Sequence, residues 1–420
     1  MVCFRSHGHF SRRSSMMLSK RSKAASRASM ILILGKNTLS EWRRTGCSMG
    51  EILTFVAMML KRLLVPFCML WIFSVSAGEN VPRQEAGVNW HGGFLYAHHP
   101  DMRHLVQKHF SSVEVYYHRQ FSGKKDWHHH YQMPSWGLAA MFMPFPSDAL
   151  GNAFAGFTYY YLPVANGERF SLNYKLGAGM AMLSNRFDRV ENNRNNAIST
   201  RANVLLQMAV DGRLQVHRQL AFHIGVAMTH FSNGAVRKPN LGLNFFTAQA
   251  GLSYAPSVDR GIDSEQRYFV KPARWNMSLF AGVGVKQEMT RQGDVRPAAT
   301  VQGLAERRIS PKFSYGMGAE INGNANLEIA HREKEIETNA LTPYRAGLLA
   351  SAAFHFGRMA ILAQAGGYVF NPGNVDGVVF NRFGLRHDIS DRWKVNLTLR
   401  THFAKADHFE LGMVYQINRP

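Results

Sequence analysis

The 420-residue sequence predicts an all-β chain, a transmembrane antiparallel β-barrel of about 12–16 strands. Three observations carry that reading. Segments of roughly ten residues in which apolar and polar side chains alternate recur between turn residues, a signature weak singly and cumulative together. An export signal precedes them. Beyond it, no apolar run reaches the ~20 residues a membrane-crossing helix needs, and no cysteine remains.

Residues 1–58 read as a non-native or disordered extension, the product of a start codon placed too early. Over its first 48 or so residues, ten bases from Arg5 to Arg44 face the single acid Glu41 among many serines, a composition with no core to bury. Residues 59–77 read as a signal peptide: Lys61 and Arg62, an apolar run from Leu63 to Val75, and the small-residue box Val75-Ser76-Ala77. Residues 78–420 form the expected barrel. Cys3, Cys47 and Cys68 all lie before Ala77, which excludes disulfides and thiolate metal sites from the exported part. The first 77 residues hold 12 of the 49 Lys+Arg and 2 of the 28 Asp+Glu, so the net charge falls from +21 to +11 on export. An exported cationic chain without a basic-aromatic repeat points to anionic lipid as partner and gives nucleic acid little support.

The strands follow in order: Ala86–Tyr96, Ser112–Arg119, Trp136–Phe145, Ala153–Leu162, the alternation beginning at Phe170, Ala202–Arg213, the stretch from Leu220 and Leu243–Tyr254. Next come the alternation from Trp275, Pro297–Ile309, Phe313–Gly323, Arg345–Phe356, Met359–Phe370, Val378–Leu385, the alternation around Val395, and a last one from Phe409 to Ile417. If Ala86–Tyr96 runs outward, Asn166-Gly167, Ser310-Pro311 and Gly357-Arg358 become short periplasmic turns, and 184–200 and 324–343 become long surface loops. The connections 120–134 and 255–274 are long for periplasmic turns and leave room for a missed strand or small helix.

The chemistry concentrates at the end of the seventh strand. Phe222, Ile224, Val226, Met228 and His230 share one side of an extended chain, and Ser232 continues that side. In a soluble protein such a face is core and the histidine a structural one. Here it leads into Asn233-Gly234 and the turn-rich Pro239-Asn240-Leu241-Gly242-Leu243-Asn244, rich in amides. A serine nucleophile needs a base, an orienter for that base and donors for an oxyanion, and this stretch holds residue types for all of them.

His230-Phe231-Ser232-Asn233-Gly234, followed by Pro239-Asn240-Leu241-Gly242 and Asn244, resembles the lipid A 3-O-deacylase family of outer-membrane barrels, especially its larger acyloxyacyl-hydrolase-like members. The resemblance implies Ser232 as nucleophile, His230 as general base, and Asn240 with Gly234 at the oxyanion hole. Asn244 departs from it, since smaller members carry a glutamate orienter there. The same spacing is similar to outer-membrane phospholipase A, whose orienter is an asparagine, and an amide can fix an imidazole tautomer without charge. The expected function is therefore hydrolysis of an acyl ester of lipid A in the outer leaflet, with a glycerophospholipid hydrolase and a non-catalytic barrel as alternatives. No cofactor is expected.

Other residues draw blander readings. His128-His129-His130 lack a convergent ligand set, so no metal is assigned. His98, His99, His104 and His109 flank Met102-Arg103-His104-Leu105-Val106, which resembles the N-terminal part of the larger family members and receives no chemistry. Glu333, Glu335 and Glu337 belong to a solvated loop or short helix. Gly282-Val283-Gly284 are barrel glycines, outside any strand-turn-helix that cradles phosphate.

Overall fold

A computed structural model of the chain describes residues 82–256, 274–287, 295–403 and 405–418. The expected extension and signal peptide, and most of the 255–274 connection, lie outside these residues. All the expected strand segments are strands, sixteen among the described residues. What the alternation does not carry is where a sheet closes, and here it closes twice, as two barrels of eight strands each.

The first barrel comprises β1 (Gln84–Tyr96), β2 (Phe110–Gln120), β3 (Ser135–Pro144), β4 (Asn152–Asn166), β5 (Phe170–Leu183), β6 (Ala202–His217), β7 (Leu220–Ser232) and β8 (Leu243–Tyr254). It closes through β1 on β8, from Ala86 opposite Tyr254 to Tyr96 opposite Asn244. The second comprises β9 (Asn276–Gln287), β10 (Val295–Arg308), β11 (Phe313–Asn324), β12 (Tyr344–Phe356), β13 (Met359–Phe370), β14 (Val379–Asp388), β15 (Trp393–His402) and β16 (Lys405–Gln416), with β16 returning to β9. All neighbours are antiparallel. Two short helices, α1 (Asp126–His130) and α2 (Leu327–Glu333), sit in connections, α1 in the one flagged as too long for a turn. No helix among the described residues is long and apolar enough to cross a membrane.

Side-chain parity explains both faces. On β7, Ile224 and Val226 are 60% and 61% exposed on the outside, while His223 and Thr229 are 2% and 1% exposed within. The same alternation exposes Val88 and Trp90, Phe142 and Phe154, Leu279 and Val283, Leu397 and Leu411. Apolar exposure on this scale is untenable in water and is the outward band of a membrane barrel.

The lumens are filled by charges that pair across them, because an eight-stranded barrel is just wide enough for side chains. In the first, Glu114 accepts from Lys175 at 2.5 Å and from Gln207 at 3.1 Å, and Arg213 pairs with Glu85 at 3.0 Å. In the second, Arg382 bridges Glu410 (2.6 Å) and Glu320 (2.7 Å), Arg400 pairs with Glu320 (2.6 Å), and Arg386 with Glu306 (2.6 Å). Buried ions of this kind persist only where each has its partner.

At one end of the first barrel the lumen turns apolar. A 3₁₀ turn at Pro100–Leu105 drops Met102 and Leu105, both fully buried, onto Phe145, Phe231 and Phe245. Phe145 stacks on Phe245 at 5.0 Å, and Phe231 meets Phe245 edge-on at 5.9 Å. Loops 97–109 and 184–201 are tied over this plug by His104 to the Arg194 carbonyl (2.6 Å) and by Asn196 to the Asp101 carbonyl (2.7 Å).

The barrels touch at both ends. Beside the plug, the Lys238 N–H donates to Gln287 Oε1 at 3.0 Å and Gly234 packs against the Phe409 ring. At the opposite end Tyr131, just after α1, donates to the His355 carbonyl at 2.9 Å and stacks on Phe356 at 4.9 Å. Two contacts of this kind give the barrels the same sense.

Candidate active site

The site assembles where β7 leaves the sheet. Odd residues such as Phe231 point into the apolar plug, so His230 and Ser232 face the barrel's outer wall. The β7–β8 register sets His230 directly opposite Asn244. Cross-strand pairs of this kind bring side chains within reach, and His230 Nδ1 lies 2.6 Å from Asn244 Oδ1.

Asn244 has a second partner. Its Nδ2 lies 3.0 Å from His98 Nδ1, and His98 Nε2 is 3.0 Å from the carbonyl oxygen of Leu241. Proton assignments follow from chemistry, because a carbonyl only accepts. His98 therefore carries its proton on Nε2, its Nδ1 accepts from the Asn244 amide, and the Asn244 oxygen faces His230 as acceptor. His230 then holds its proton on Nδ1 and leaves Nε2 with a free lone pair.

Ser232 is 6% exposed, two residues beyond His230 on the same face. Among the described residues no hydrogen bond joins its Oγ to His230. The loop after it is fixed from several sides. The Asn233 N–H donates to Asn240 Oδ1 at 3.1 Å, and among the described residues Asn240 Nδ2 has no hydrogen-bond acceptor. The Asn233 amide donates to Thr200 Oγ1 (3.1 Å) and to the Arg237 carbonyl (2.9 Å), and Ser199 donates to the same carbonyl at 2.7 Å.

Two glycines have physical reasons. Gly234 has φ +62°, and a Cβ there would lie 2.0 Å from the Phe409 ring. Gly242 has φ +77°, and a Cβ would come within 3.0 Å of His230 Cε1, on the ring edge that carries Nε2. Both positions need the left-handed backbone that glycine adopts freely.

Below the pair an apolar groove of about 780 Å³ runs across the outer wall, lined by Trp90, Phe94, Met208, Val226, Met228 and Phe246. Met228 stands opposite Phe246. It is the outward residue next below His230, about 7 Å down the strand. The groove thus ends under the polar pair.

Of the five site residues expected from sequence, His230 and Asn244 are hydrogen-bonded, Ser232 shares their face, and Asn240 and Gly234 line the loop beside them. Sequence reading passed over His98, which lies 146 positions from Asn244 and meets it only through the β1–β8 closure. Phe409 and Gln287 come from the other barrel and carry no local signal.

A second Ser-His-Asp chain lies in the lumen: His223 Nδ1 is 2.8 Å from Asp211 Oδ2, and its Nε2 is 2.8 Å from Ser253 Oγ. It has the bonding order of a triad, but all three residues are 4% exposed or less and Glu85 crowds the imidazole at 3.3 Å. The other histidines diverge. His128 stacks on Phe121 at 4.7 Å, and His129 meets the Gly123 carbonyl at 2.6 Å. Asp376, His402 and Asp407 bring ligand atoms within 4.8 Å of one another, but Arg345 pairs with Asp376 (2.8 Å) and Lys286 with Asp407 (2.6 Å), so both carboxylates are already neutralised.

Lipid-facing belts, charge-filled lumens and a polar cluster on the outer wall define an outer-membrane β-barrel protein. Two family models match it, Lipid A 3-O-deacylase (PagL) over residues 111–253 and Acyloxyacyl hydrolase, C-terminal domain, over residues 273–419. The chain belongs to this lipid A deacylase and acyloxyacyl hydrolase family, and the two matches fall on the two barrels. Among solved structures, the outer membrane enzyme PagL is similar at 14% identity over 39% of this chain and 97% of that one, with a TM-score of 0.27. A mutant of the Rh. blastica porin is similar at 11% identity over 80% of this chain and 99% of that one, with a TM-score of 0.19. Comparison with curated proteins gives no match.

Proposed function

We propose that the chain is an outer-membrane serine esterase that removes an acyl chain from lipid A, with Ser232 as nucleophile, His230 as general base and Asn244 as orienter. The observation that carries this is the 2.6 Å contact from His230 Nδ1 to Asn244 Oδ1 on the lipid-facing wall, directly above an apolar groove.

In this reading an acyl chain lies in the groove and its ester carbonyl reaches Ser232. Side chains two apart on one strand face are about 7 Å apart at Cα, a gap that an imidazole and a hydroxymethyl span between them. Nε2 of His230 takes the Ser232 proton as Oγ attacks the carbonyl carbon. The Asn244 oxygen holds the resulting imidazolium through Nδ1–H. Asn240 Nδ2 and the Gly234 N–H stand beside Ser232 as donors for the oxyanion. Collapse returns the proton from Nε2 to the departing sugar oxygen, and water, deprotonated by the same nitrogen, then releases the fatty acid from the acyl-enzyme.

The test is fatty-acid release from lipid A and, in parallel, from a glycerophospholipid, both in mixed micelles. Ser232→Ala and His230→Ala each lower turnover by roughly 10³-fold or more, because members of such a set act as a unit. A Ser232→Ala chain with near-parental turnover would falsify the assignment. The phospholipid arm addresses the resemblance that an amide orienter brings, and preferential release from it makes the chain a phospholipase. A pore is the less favoured form of the non-catalytic reading, since both lumens hold buried ion pairs where a pore needs water.

A further inference from the structure

An asparagine orienter poses a problem that a carboxylate does not. A carboxylate offers an acceptor oxygen whichever way it is turned, whereas an amide turned by 180° presents N–H groups to the imidazole. Turned so, Asn244 would meet a lone pair on His230 Nδ1, and His230 would carry its proton on Nε2, where no base for Ser232 remains. Something must choose between the two orientations.

We infer that His98 is a positioning residue that makes this choice, through a relay Leu241 carbonyl–His98–Asn244–His230. The inference rests on the proposed esterase reading and extends it to a residue outside the triad. The geometry is complete on each link: His98 Nε2 to the Leu241 oxygen at 3.0 Å, Asn244 Nδ2 to His98 Nδ1 at 3.0 Å, and His230 Nδ1 to Asn244 Oδ1 at 2.6 Å. Leu241 supplies the fixed end, because a backbone carbonyl accepts and never donates. That pins the proton of neutral His98 to Nε2 and makes its Nδ1 an acceptor. The acceptor draws the NH₂ end of Asn244, which turns the oxygen toward His230 and sets the reactive tautomer. One polar group thus fixes the next over three side chains.

The fold supports the arrangement. His98 stands two residues beyond β1, whose last residue, Tyr96, is paired with Asn244 in the barrel closure. A further turn is held there by the His98 N–H donating to the Tyr96 carbonyl at 3.1 Å. The histidine is exposed and packs into no core, so its contribution lies in those two ring nitrogens.

The experiment is a double-mutant cycle on the full chain in detergent, with lipid A in mixed micelles as substrate and fatty-acid release as readout. His98→Ala lowers kcat roughly tenfold and leaves KM within about twofold, because the acyl groove is untouched. In the Asn244→Glu background the same His98→Ala change costs less than about twofold, since either carboxylate oxygen accepts from His230 Nδ1 and nothing is left to orient. His98→Gln, which keeps one acceptor and one donor, retains most of the parental kcat. ¹⁵N spectra of His230 give the direct signature. The proton sits on Nδ1 in the parent chain, and the Nε2–H tautomer becomes substantial in His98→Ala. An equal kcat loss in both backgrounds, an unchanged His230 tautomer, or full activity of His98→Ala overturns the inference. An active Ser232→Ala chain overturns the esterase reading instead, so the two failures are distinct.

Discussion

Gly242 shows how little room the site leaves. A Cβ there would lie 3.0 Å from His230 Cε1 and 3.7 Å from its Nε2, and the φ of +77° costs an L-residue about 1–2 kcal/mol. Gly242→Ala is expected to retain the folded barrel by circular dichroism while lowering kcat about tenfold, because the new methyl pushes the imidazole off the line to Ser232. Loss of the fold, or no loss of turnover, would contradict that account. Ser232 and His230 were visible in the sequence because apolar parity ran into them without interruption. His98 was not, since nothing near it in the chain hints at Asn244.

At the level of elements, β7 and β8 make the site and β1 completes it. The alternation located every strand among the described residues, and Leu243–Tyr254 and Met359–Phe370 match to the residue. Alternation is a property of one strand and so is readable locally. Which strand closes on which is a pairing of distant segments, and neither the two closures nor the meeting of Tyr96 with Asn244 leaves a local trace. The groove is likewise a product of six neighbouring strands, β5 to β8 with β1 and β2. Gly92 lies on its floor, and a Cβ there meets only the Trp90 ring at 3.7 Å, so a larger side chain is sterically admissible. Gly92→Phe should fill the groove, raising KM for a long-chain substrate roughly tenfold while sparing a short-chain ester such as p-nitrophenyl acetate. Equal effects on both substrates would mean that the groove holds no acyl chain.

At the level of the molecule, the second barrel meets the loop after β7 through Gln287 and Phe409 but contributes no group to the proposed relay. Its own stability rests on the lumen network. Glu320 accepts from both Arg382 and Arg400. Glu320→Ala strips Arg400 of its carboxylate and should cost that barrel about 3–5 kcal/mol, read as a lower thermal unfolding temperature in detergent. Turnover below that temperature should change little, because the reacting groups of the proposed esterase all belong to the first barrel. If turnover falls in step with stability, the two barrels behave as one cooperative unit.

The outward direction of His230 and Ser232 has a kinetic meaning. A cleft that opens sideways into hydrocarbon receives its lipid by lateral diffusion, so on the proposed reading the encounter rate follows the mole fraction of substrate in the leaflet and is blind to concentration in bulk water. The freed fatty acid stays in the same two-dimensional phase. Only the hydrolytic water must arrive from above, past the loop between Asn233 and Gly242, which makes that loop the boundary between the two solvents the reaction draws on.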